Sequence, residues 1–393
     1  MVDPAKAKPA DGATVHYSRH QFTMTLEELV TEENLFRAYK NASRGKHERP
    51  SVFNFDLRLG QKLEEIYTSL LDGTYRPSPC YSFDIFCTAG QKIRTISAPH
   101  FSDTIVQHLL YGESYSDFDR GFIFDSYGCR RLKGTHRASD RVQQFIRESP
   151  VGSYYLQIDI RKYYYNIDHS ILRESIERRV ADKRLVDLFM MFCDNKTGVG
   201  LNVGCLLSQL YGMVYLDRFD HWVKRNLKIK HYVRYVDDMV FVGLSKDEAY
   251  ALLNNVKKYL KEVLHLELSK WKILPLGTGI NFAGFWTYRN KRLIRKRSLY
   301  TLTKRIKQGK PDSVAAVLAH AKRTSSYTGM LRKVKRDLPP DVQAKLHKAL
   351  RQELSSLPKQ PEECCVRTQK AERSRNIKDL PKHLQVALNL YQR

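Results

Sequence analysis

The chain has 393 residues, 42% of them hydrophobic, which excludes a wholly disordered protein and predicts two or three packed subdomains rather than one small core. Its formal net charge of +25 favours a polyanionic partner, and nucleic acid is the usual one. Seven cysteines without a CxxC pair argue against a disulfide framework or zinc site, and no apolar run reaches membrane length, so we expect a soluble, cytoplasmic protein without a membrane partner.

The first 150 residues show the patterns of helices and one hairpin. Thr25 to Glu28 has the form of a capping box at the start of a helix, and Asp72-Gly73 stops a second helical stretch. The predicted helices cover 25–39, 55–71 and 105–110, and the predicted strands cover 81–88 and 92–98 around Ala89-Gly90.

From residue 154 strands and helices alternate more densely. Strands are predicted at 154–160, 232–236, 239–242, 266–274, 280–287 and 293–295. Helices are predicted at 170–180, 184–193, 206–227, 246–264 and from 298 onward. This pattern is a denser succession of strands and helices than that of the first 150 residues.

Two adjacent carboxylates interrupt a pair of apolar strands. Asp237 and Asp238 follow Arg234-Tyr235-Val236 and precede Met239-Val240-Phe241. Like charges at a bend between buried strands repel each other unless a counter-charge is present, and Mg²⁺ prefers such oxygen ligands. An ordinary Asp-Asp turn is the alternative interpretation.

A third carboxylate makes a metal site the better interpretation. Asp159 ends the strand predicted at 154–160 and lies 78 residues before Asp237. If the two strands are neighbours, Asp159 and Asp237 meet at one sheet edge, which is what two-metal phosphoryl transfer requires. Asp168 and His169, nine and ten positions after Asp159, are better explained as the cap of the next helix.

These motifs resemble the catalytic core of reverse transcriptases, close to the prokaryotic retroelement branch. The resemblance rests on D-x-x-x-x-[FY]-x-x-I-D-H from Asp159 and [YF]-x-D-D at 235–238, and extends in order from about Leu26 to Lys322. It implies an α+β fold of the right-hand polymerase type. A flexible N-terminus at 1–24 would precede fingers at 25–153, a palm at 154–288 with a finger insertion at 170–205, a basic helical thumb at 289–357 and a tail at 358–393 of unknown role.

The resemblance implies an RNA-directed DNA polymerase with Asp159, Asp237 and Asp238 as its catalytic residues. Two Mg²⁺ ions, with Mn²⁺ as a substitute, would be held by these residues and Ile160. Asp238 is the least secure ligand and could instead orient the hairpin. The implied partners are an RNA template, a DNA product or primer, dNTPs and an accessory protein.

The family's nucleotide site maps onto six positions of this sequence. They are Lys92, Arg94, Tyr164, Ser208, Gln209 and Lys272. Tyr164, five residues after Asp159, would lie beneath the sugar of the incoming nucleotide and exclude a 2′-OH. A simple packing cluster of Tyr163, Tyr164 and Tyr165 is the alternative.

Most reverse transcriptases have the motif Q-G-x-x-x-S-P, and at the matching position this chain has Val203-Gly204-Cys205-Leu206-Leu207-Ser208-Gln209. This form is similar to the enzymes of diversity-generating retroelements. Asn202, Thr104 and Gly212 depart from the usual pattern, and such divergence also occurs in antiphage defence enzymes that use a dedicated structured non-coding RNA. A catalytically inert RNA-binding scaffold and a nuclease are the remaining alternatives.

Basic residues concentrate near the end of the chain. Residues 289–393 contain 27 Lys and Arg against 8 Asp and Glu, or +19 of the +25, which favours a phosphate-binding surface over a solvated helix face. The predicted primer- and template-binding residues are Gly279, Phe282, Gly284, Arg289, Arg292, Arg295, Lys296, Arg297, Lys304 and Arg305.

Overall fold

The computed structural model describes residues 21–87, 92–193, 197–339 and 343–346. The helices are α1 (Leu26–Leu29), α2 (Glu32–Ser43), α3 (Pro50–Asp56), α4 (Leu59–Leu71), α5 (Phe101–Gly121), α6 (Thr135–Glu148), α7 (His169–Glu177), α8 (Lys183–Met190), α9 (Leu206–His221), α10 (Lys246–Leu264), α11 (Lys296–Lys307), α12 (Pro311–Ala321) and α13 (Tyr327–Asp337). The strands are β1 (Tyr81–Cys87), β2 (Lys92–Ala98), β3 (Tyr154–Ile160), β4 (Tyr232–Tyr235), β5 (Asp238–Leu244), β6 (Leu268–Pro275), β7 (Ile280–Phe282), β8 (Phe285–Thr287) and β9 (Arg292–Ile294). The predicted α+β class is confirmed.

The chain divides into two compact units. Unit 1 contains the residues up to Cys129 together with Ile158–Lys230 and Ala251–Trp271, and unit 2 contains Arg130–Gln157, His231–Tyr250 and the residues from Lys272 onward. The division falls within β3 and β6. The predicted flexible N-terminus and C-terminal tail lie almost wholly outside the described residues, and the predicted boundaries of fingers, palm and thumb stay predictions.

Unit 1 is mainly helical. Helix α5 packs against α2 and α9, and α7 packs against α9. Strands β1 and β2 form an antiparallel hairpin in which Tyr81 is opposite Ala98. The main-chain N–H of Ser97 donates to the Val203 oxygen at 2.8 Å, which ties β2 to the loop before α9.

The start of unit 1 both confirms and corrects the sequence interpretation. The capping box is present, since Thr25 accepts from the Glu28 N–H and Glu28 accepts from the Thr25 N–H. The single helix predicted over 25–39 is wrong, because α1 stops after Leu29. Thr31 then caps α2 by accepting from the Asn34 N–H at 3.2 Å.

A four-stranded sheet has the strand order β4-β5-β3-β6. Unit 2 contains all of β4 and β5, residues 154–157 of β3 and residues 272–275 of β6. Helix α6 packs against β4 and β5. A second sheet of order β7-β8-β9 follows, and buried side chains of α11, α12 and α13 form a core with Phe285 and Ile294.

The strand predicted over 280–287 is wrong: it is a hairpin of β7 and β8. Ala283 and Gly284 form its turn with φ values of 47° and 96°. The helix predicted over 206–227 also differs, because α9 ends at His221 and a π-helical turn covers Trp222–Asn226. No helix among the described residues is long and apolar enough to cross a membrane.

Candidate functional site

The Asp237-Asp238 pair lies at the tip of the β4–β5 hairpin in unit 2. Tyr235 is paired with Asp238, so Val236 and Asp237 form a two-residue turn. Val236 has a φ of 58°, and a β-branched residue in the left-handed region costs about 1–3 kcal/mol. The stacked rings of Tyr232 and Phe241, with centroids 4.8 Å apart, help to hold the strands that impose this conformation.

Arg234 stabilises the same turn. Its side chain is buried, and its guanidinium donates to the main-chain oxygen of Val236 at 3.1 Å. No role is predicted for Arg234 from the sequence. Its position one residue before the Tyr-Val-Asp-Asp segment, within an otherwise apolar strand, was the signal that could have identified it.

Asp238 has a defined hydrogen-bond partner. The side-chain amide of Gln157 donates to Oδ1 of Asp238 at 2.7 Å. Burial lowers the pKa of the Lys272 amine and of the Arg295 guanidinium, and the negative charge of Asp238 opposes that shift in both. Lys272, a predicted nucleotide-binding residue, therefore lies within the electrostatic influence of Asp238.

Asp159 belongs to unit 1, at the penultimate position of β3. Its Oδ2 accepts a hydrogen bond from the Ser269 hydroxyl at 2.6 Å, and no Lys, Arg or His of the described residues forms an ion pair with it. The neighbouring Ile160 side chain is buried, so only its main chain could contact a metal ion.

The donor chemistry of these residues fits Mg²⁺. Asp159, Asp237 and Asp238 offer hard carboxylate oxygens, and the Ser269 hydroxyl and the Gln157 amide, which donate to Asp159 and Asp238, are neutral groups. Within the described ranges, no three His, Cys, Asp or Glu side chains are already grouped as a metal cluster.

The three adjacent tyrosines of unit 1 have different environments. Tyr163 is buried, and its hydroxyl donates to the Gly212 oxygen of α9. Tyr164 is half-buried, and its ring atom Cε1 would lie 3.1 Å from a Cβ added at Gly212. Tyr165 is 50% exposed. Tyr163 is thus a packing residue, while Tyr164 remains the predicted sugar-contacting residue.

The Val203–Gln209 segment forms the start of α9. Gln107, to which no role had been assigned, accepts from the N–H groups of Leu206 at 2.9 Å and Leu207 at 3.4 Å. Ser208 is buried and donates to the Asn202 oxygen at 2.7 Å, and its role as a nucleotide contact stays a prediction. Gln209 is exposed.

Several residues predicted to contact the primer and template have buried or internally hydrogen-bonded side chains, and these contacts stay predictions. The Phe282 side chain is 0% exposed, and Arg292 is 5% exposed and paired with Asp140 at 2.7 Å. Arg289 donates to the main-chain oxygens of Arg147 and Ser149, so its guanidinium is committed to the end of α6.

The glycines predicted at this surface have structural roles. A Cβ on Gly279 would lie 2.6 Å from the Tyr288 ring, and Gly284 occupies the β7–β8 turn. The remaining predicted residues are more accessible: Arg94, Lys296, Arg297 and Lys304 are exposed, and Arg295 and Arg305 are partly buried. The Lys92 side chain lies outside what the structure describes.

Known proteins were compared with the chain. A profile of the reverse transcriptase (RNA-dependent DNA polymerase) family matches residues 88–287. The group II intron-encoded protein LtrA of Lactococcus lactis subsp. cremoris is 27% identical over 221 residues, which are 53% of this chain and 36% of LtrA. The protein YkfC of Escherichia coli (strain K12) is 26% identical over 288 residues, which are 62% of this chain and 74% of YkfC. The chain therefore spans only about a third of LtrA.

Two solved structures show weaker similarity. Apo telomerase from Candida tropicalis, truncated from its C-terminal domain, has a TM-score of 0.39 and 13% identity, with 58% of this chain and 57% of that chain covered. Telomerase from Candida albicans in complex with a fragment of telomeric RNA has a TM-score of 0.41 and 10% identity, with 74% and 65% covered. At these scores the likeness adds nothing to the assignment, which rests on the profile match to just over half of the chain. The chain belongs to the reverse transcriptase (RNA-dependent DNA polymerase) family.

Proposed function

We propose that the protein is an RNA-directed DNA polymerase that synthesises cDNA on an RNA template. The observation that carries this proposal is the strained Val236 turn, which presents Asp237 and Asp238 within the part of the chain that matches the reverse transcriptase family. Strain of this kind is concentrated at functional sites and needs support from the surrounding structure, here from the buried Arg234.

In this proposal Asp159, Asp237 and Asp238 hold two Mg²⁺ ions, for which Mn²⁺ is a substitute. The ions would supply activation of the primer 3′-OH and neutralisation of the triphosphate charge. The chain's own part is to orient the carboxylates and bind the nucleotide, so no protein nucleophile is required. Arg94, Tyr164, Gln209 and Lys272 are the proposed nucleotide contacts.

The exposed cations of α11 support a nucleic-acid partner. Lys296, Arg297 and Lys304 are accessible on a helix whose buried face contains Leu302 and Ile306. Such a helix presents its charge to phosphates, and its binding would weaken steeply with added salt. The proposed partners are an RNA template, a DNA primer or product, and an accessory protein, and we propose that they meet in the cytoplasm.

The form of the Val203–Gln209 segment supports the diversity-generating type of reverse transcriptase. Sequencing the nucleic acid that co-purifies with the protein separates this role from antiphage defence. A template-repeat transcript with cDNA altered at adenines supports diversification. A dedicated structured RNA with defined or repetitive cDNA supports defence instead.

Primer extension on an RNA template tests the polymerase proposal itself. We expect Mg²⁺-dependent dNTP incorporation by the wild type and its loss in the Asp237→Ala, Asp238→Ala double variant. The control is Glu32→Ala, Glu33→Ala, which also removes two adjacent carboxylates, here from the exposed first turn of α2. Unchanged incorporation by the Asp237, Asp238 variant would refute catalysis at this hairpin, and no incorporation by the wild type would favour the RNA-binding scaffold.

A further inference from the structure

The side-chain amide of Gln157 joins two elements of unit 2. Its Nε2 donates to Oδ1 of Asp238 at 2.7 Å and to the main-chain oxygen of Asn281 at 3.1 Å. Both partners are acceptors only, so the amide must present its NH₂ group to them, and exchange of its nitrogen and oxygen would lose both contacts. The structure therefore determines the orientation of this amide.

Further hydrogen bonds connect Gln157 and the β4–β5 hairpin with the residue that precedes α11. Oδ1 of Asn281 accepts from Nε of Arg295 at 2.7 Å. Arg295 directly precedes Lys296, the first residue of α11. A continuous set of hydrogen bonds thus runs from Asp238 through Gln157 and Asn281 to Arg295.

Packing alone does not explain a glutamine at this position. Oε1 of Gln157 is buried, and none of the described residues donates to it. A buried acceptor without a partner is unfavourable, and an apolar side chain of similar length would avoid that cost. The two N–H donors are what the glutamine contributes and an apolar residue cannot.

We propose that Gln157 is a positioning residue that orients the Asp238 carboxylate for binding a divalent metal ion. The proposal rests on the proposed polymerase function. Groups that hydrogen-bond to a metal-binding carboxylate fix its direction, and their removal typically lowers metal affinity or activity about 10–100-fold. Because the donor is neutral, Gln157 orients Asp238 without cancelling the charge that attracts the ion.

The test compares two glutamines in the same unit. Gln157→Met keeps the length of the side chain and removes its donors. Gln143→Met is the matched control, because Gln143 is also half-buried and also donates from Nε2 to a main-chain oxygen, that of Tyr288 at 3.0 Å. Among the described residues, Gln143 has no hydrogen bond to an aspartate.

Two measurements are made on the full-length protein. The first is the Mg²⁺ dependence of dNTP incorporation, in which Gln157→Met should need about 10-fold more Mg²⁺ for half-maximal rate and approach the wild-type rate at saturation. The second is calorimetric titration of the protein with Mg²⁺ alone, in which the affinity should fall by a similar factor. Gln143→Met should leave both values at those of the wild type.

Unchanged Mg²⁺ dependence and affinity in Gln157→Met would overturn the proposal. An equal loss in Gln143→Met, or a loss of rate that saturating Mg²⁺ does not restore, would also overturn it by indicating a general packing defect. Should Gln157→Met not fold, Gln157→Asn keeps the amide but shortens the side chain by one methylene, so that it loses the 2.7 Å contact with Asp238, and it should raise the Mg²⁺ requirement in the same way. If the wild type incorporates no dNTP, the proposed function fails, while the titration still decides the role of Gln157.

Discussion

A methyl group added at Gly204 would meet main-chain atoms of the neighbouring strand. Gly204 has a φ of +129°, and a Cβ there would lie 2.7 Å from the Ser97 oxygen and 2.9 Å from Cγ2 of Ile96. The main-chain bond from Ser97 to Val203 lies beside it at 2.8 Å. Gly204→Ala therefore forces β2 away from the loop that begins α9.

The size of the effect follows from two contributions. The unfavourable backbone conformation costs about 1–3 kcal/mol, and weakening of the Ser97–Val203 bond costs about 0.5–1.5 kcal/mol. Together they predict a loss of roughly 2–4 kcal/mol in the free energy of unfolding of unit 1. With a urea m-value of about 2 kcal/mol per molar, the first unfolding transition should move down by about 1–2 M.

Urea unfolding followed by circular dichroism measures this shift. The control is Gly60→Ala in the first turn of α4, where a Cβ meets nothing within 4 Å and the free energy of unfolding should not fall. A Gly204→Ala midpoint equal to that of the wild type, with Gly60→Ala behaving as expected, would refute the close approach of Gly204 to Ser97.

Two further predictions concern the sugar contact and the response to pH. Tyr164→Ala should raise incorporation of NTPs relative to dNTPs about ten-fold or more, measured by competitive primer extension, whereas Tyr165→Ala on the exposed neighbour should not; equal selectivity in both would contradict the role of Tyr164. Burial lowers the pKa of His136 and of His320, whose rings flank Phe285 in unit 2. The charged groups that act on the pair are Asp140, Arg292, Arg295 and Arg323. Because both folded-state pKa values lie below the ordinary 6.5, stability should be complete above about pH 6.5 and should fall between pH 6.5 and the lowered values, by at most about 1.4 kcal/mol per pH unit for each histidine. Below the lowered pKa values this loss should level off. His136→Phe should flatten that slope in urea unfolding between pH 7 and 5, and an unchanged slope would exclude His136 as a source.

Elements with complete local signals were predictable from the sequence. Helix α10 was predicted over the range 246–264 that it occupies, because its apolar spacing is regular and acidic residues fill its first turn. The β1–β2 hairpin and the Thr25 capping box were confirmed for the same reason. In each case the deciding interactions lie within a few residues of one another.

Elements without such signals were missed or misjudged. Helix α6 begins after Gly134 with no side-chain cap, so no start signal precedes it. The β7–β8 turn has Ala283 at a φ of 47°, a conformation that the sequence does not suggest for alanine and that packing in unit 2 imposes. Burial of Arg292 against Asp140 was likewise hidden, because a count of basic residues does not distinguish an arginine of the core from one on the surface.

The two adjacent aspartates show most clearly what the backbone adds to a motif. The sequence gives no physical reason to distinguish Asp237 from Asp238, since both have the same side chain in the same apolar surroundings. The hairpin register separates them: Asp238 begins β5 opposite Tyr235, while Asp237 belongs to the turn with Val236. Asp238 therefore lies in a regular strand, where the Gln157 side chain donates to it, whereas Asp237 lies next to Val236, whose φ of 58° defines the turn. The two carboxylates leave the backbone at different points of the hairpin, a difference that the Tyr-Val-Asp-Asp motif alone does not contain.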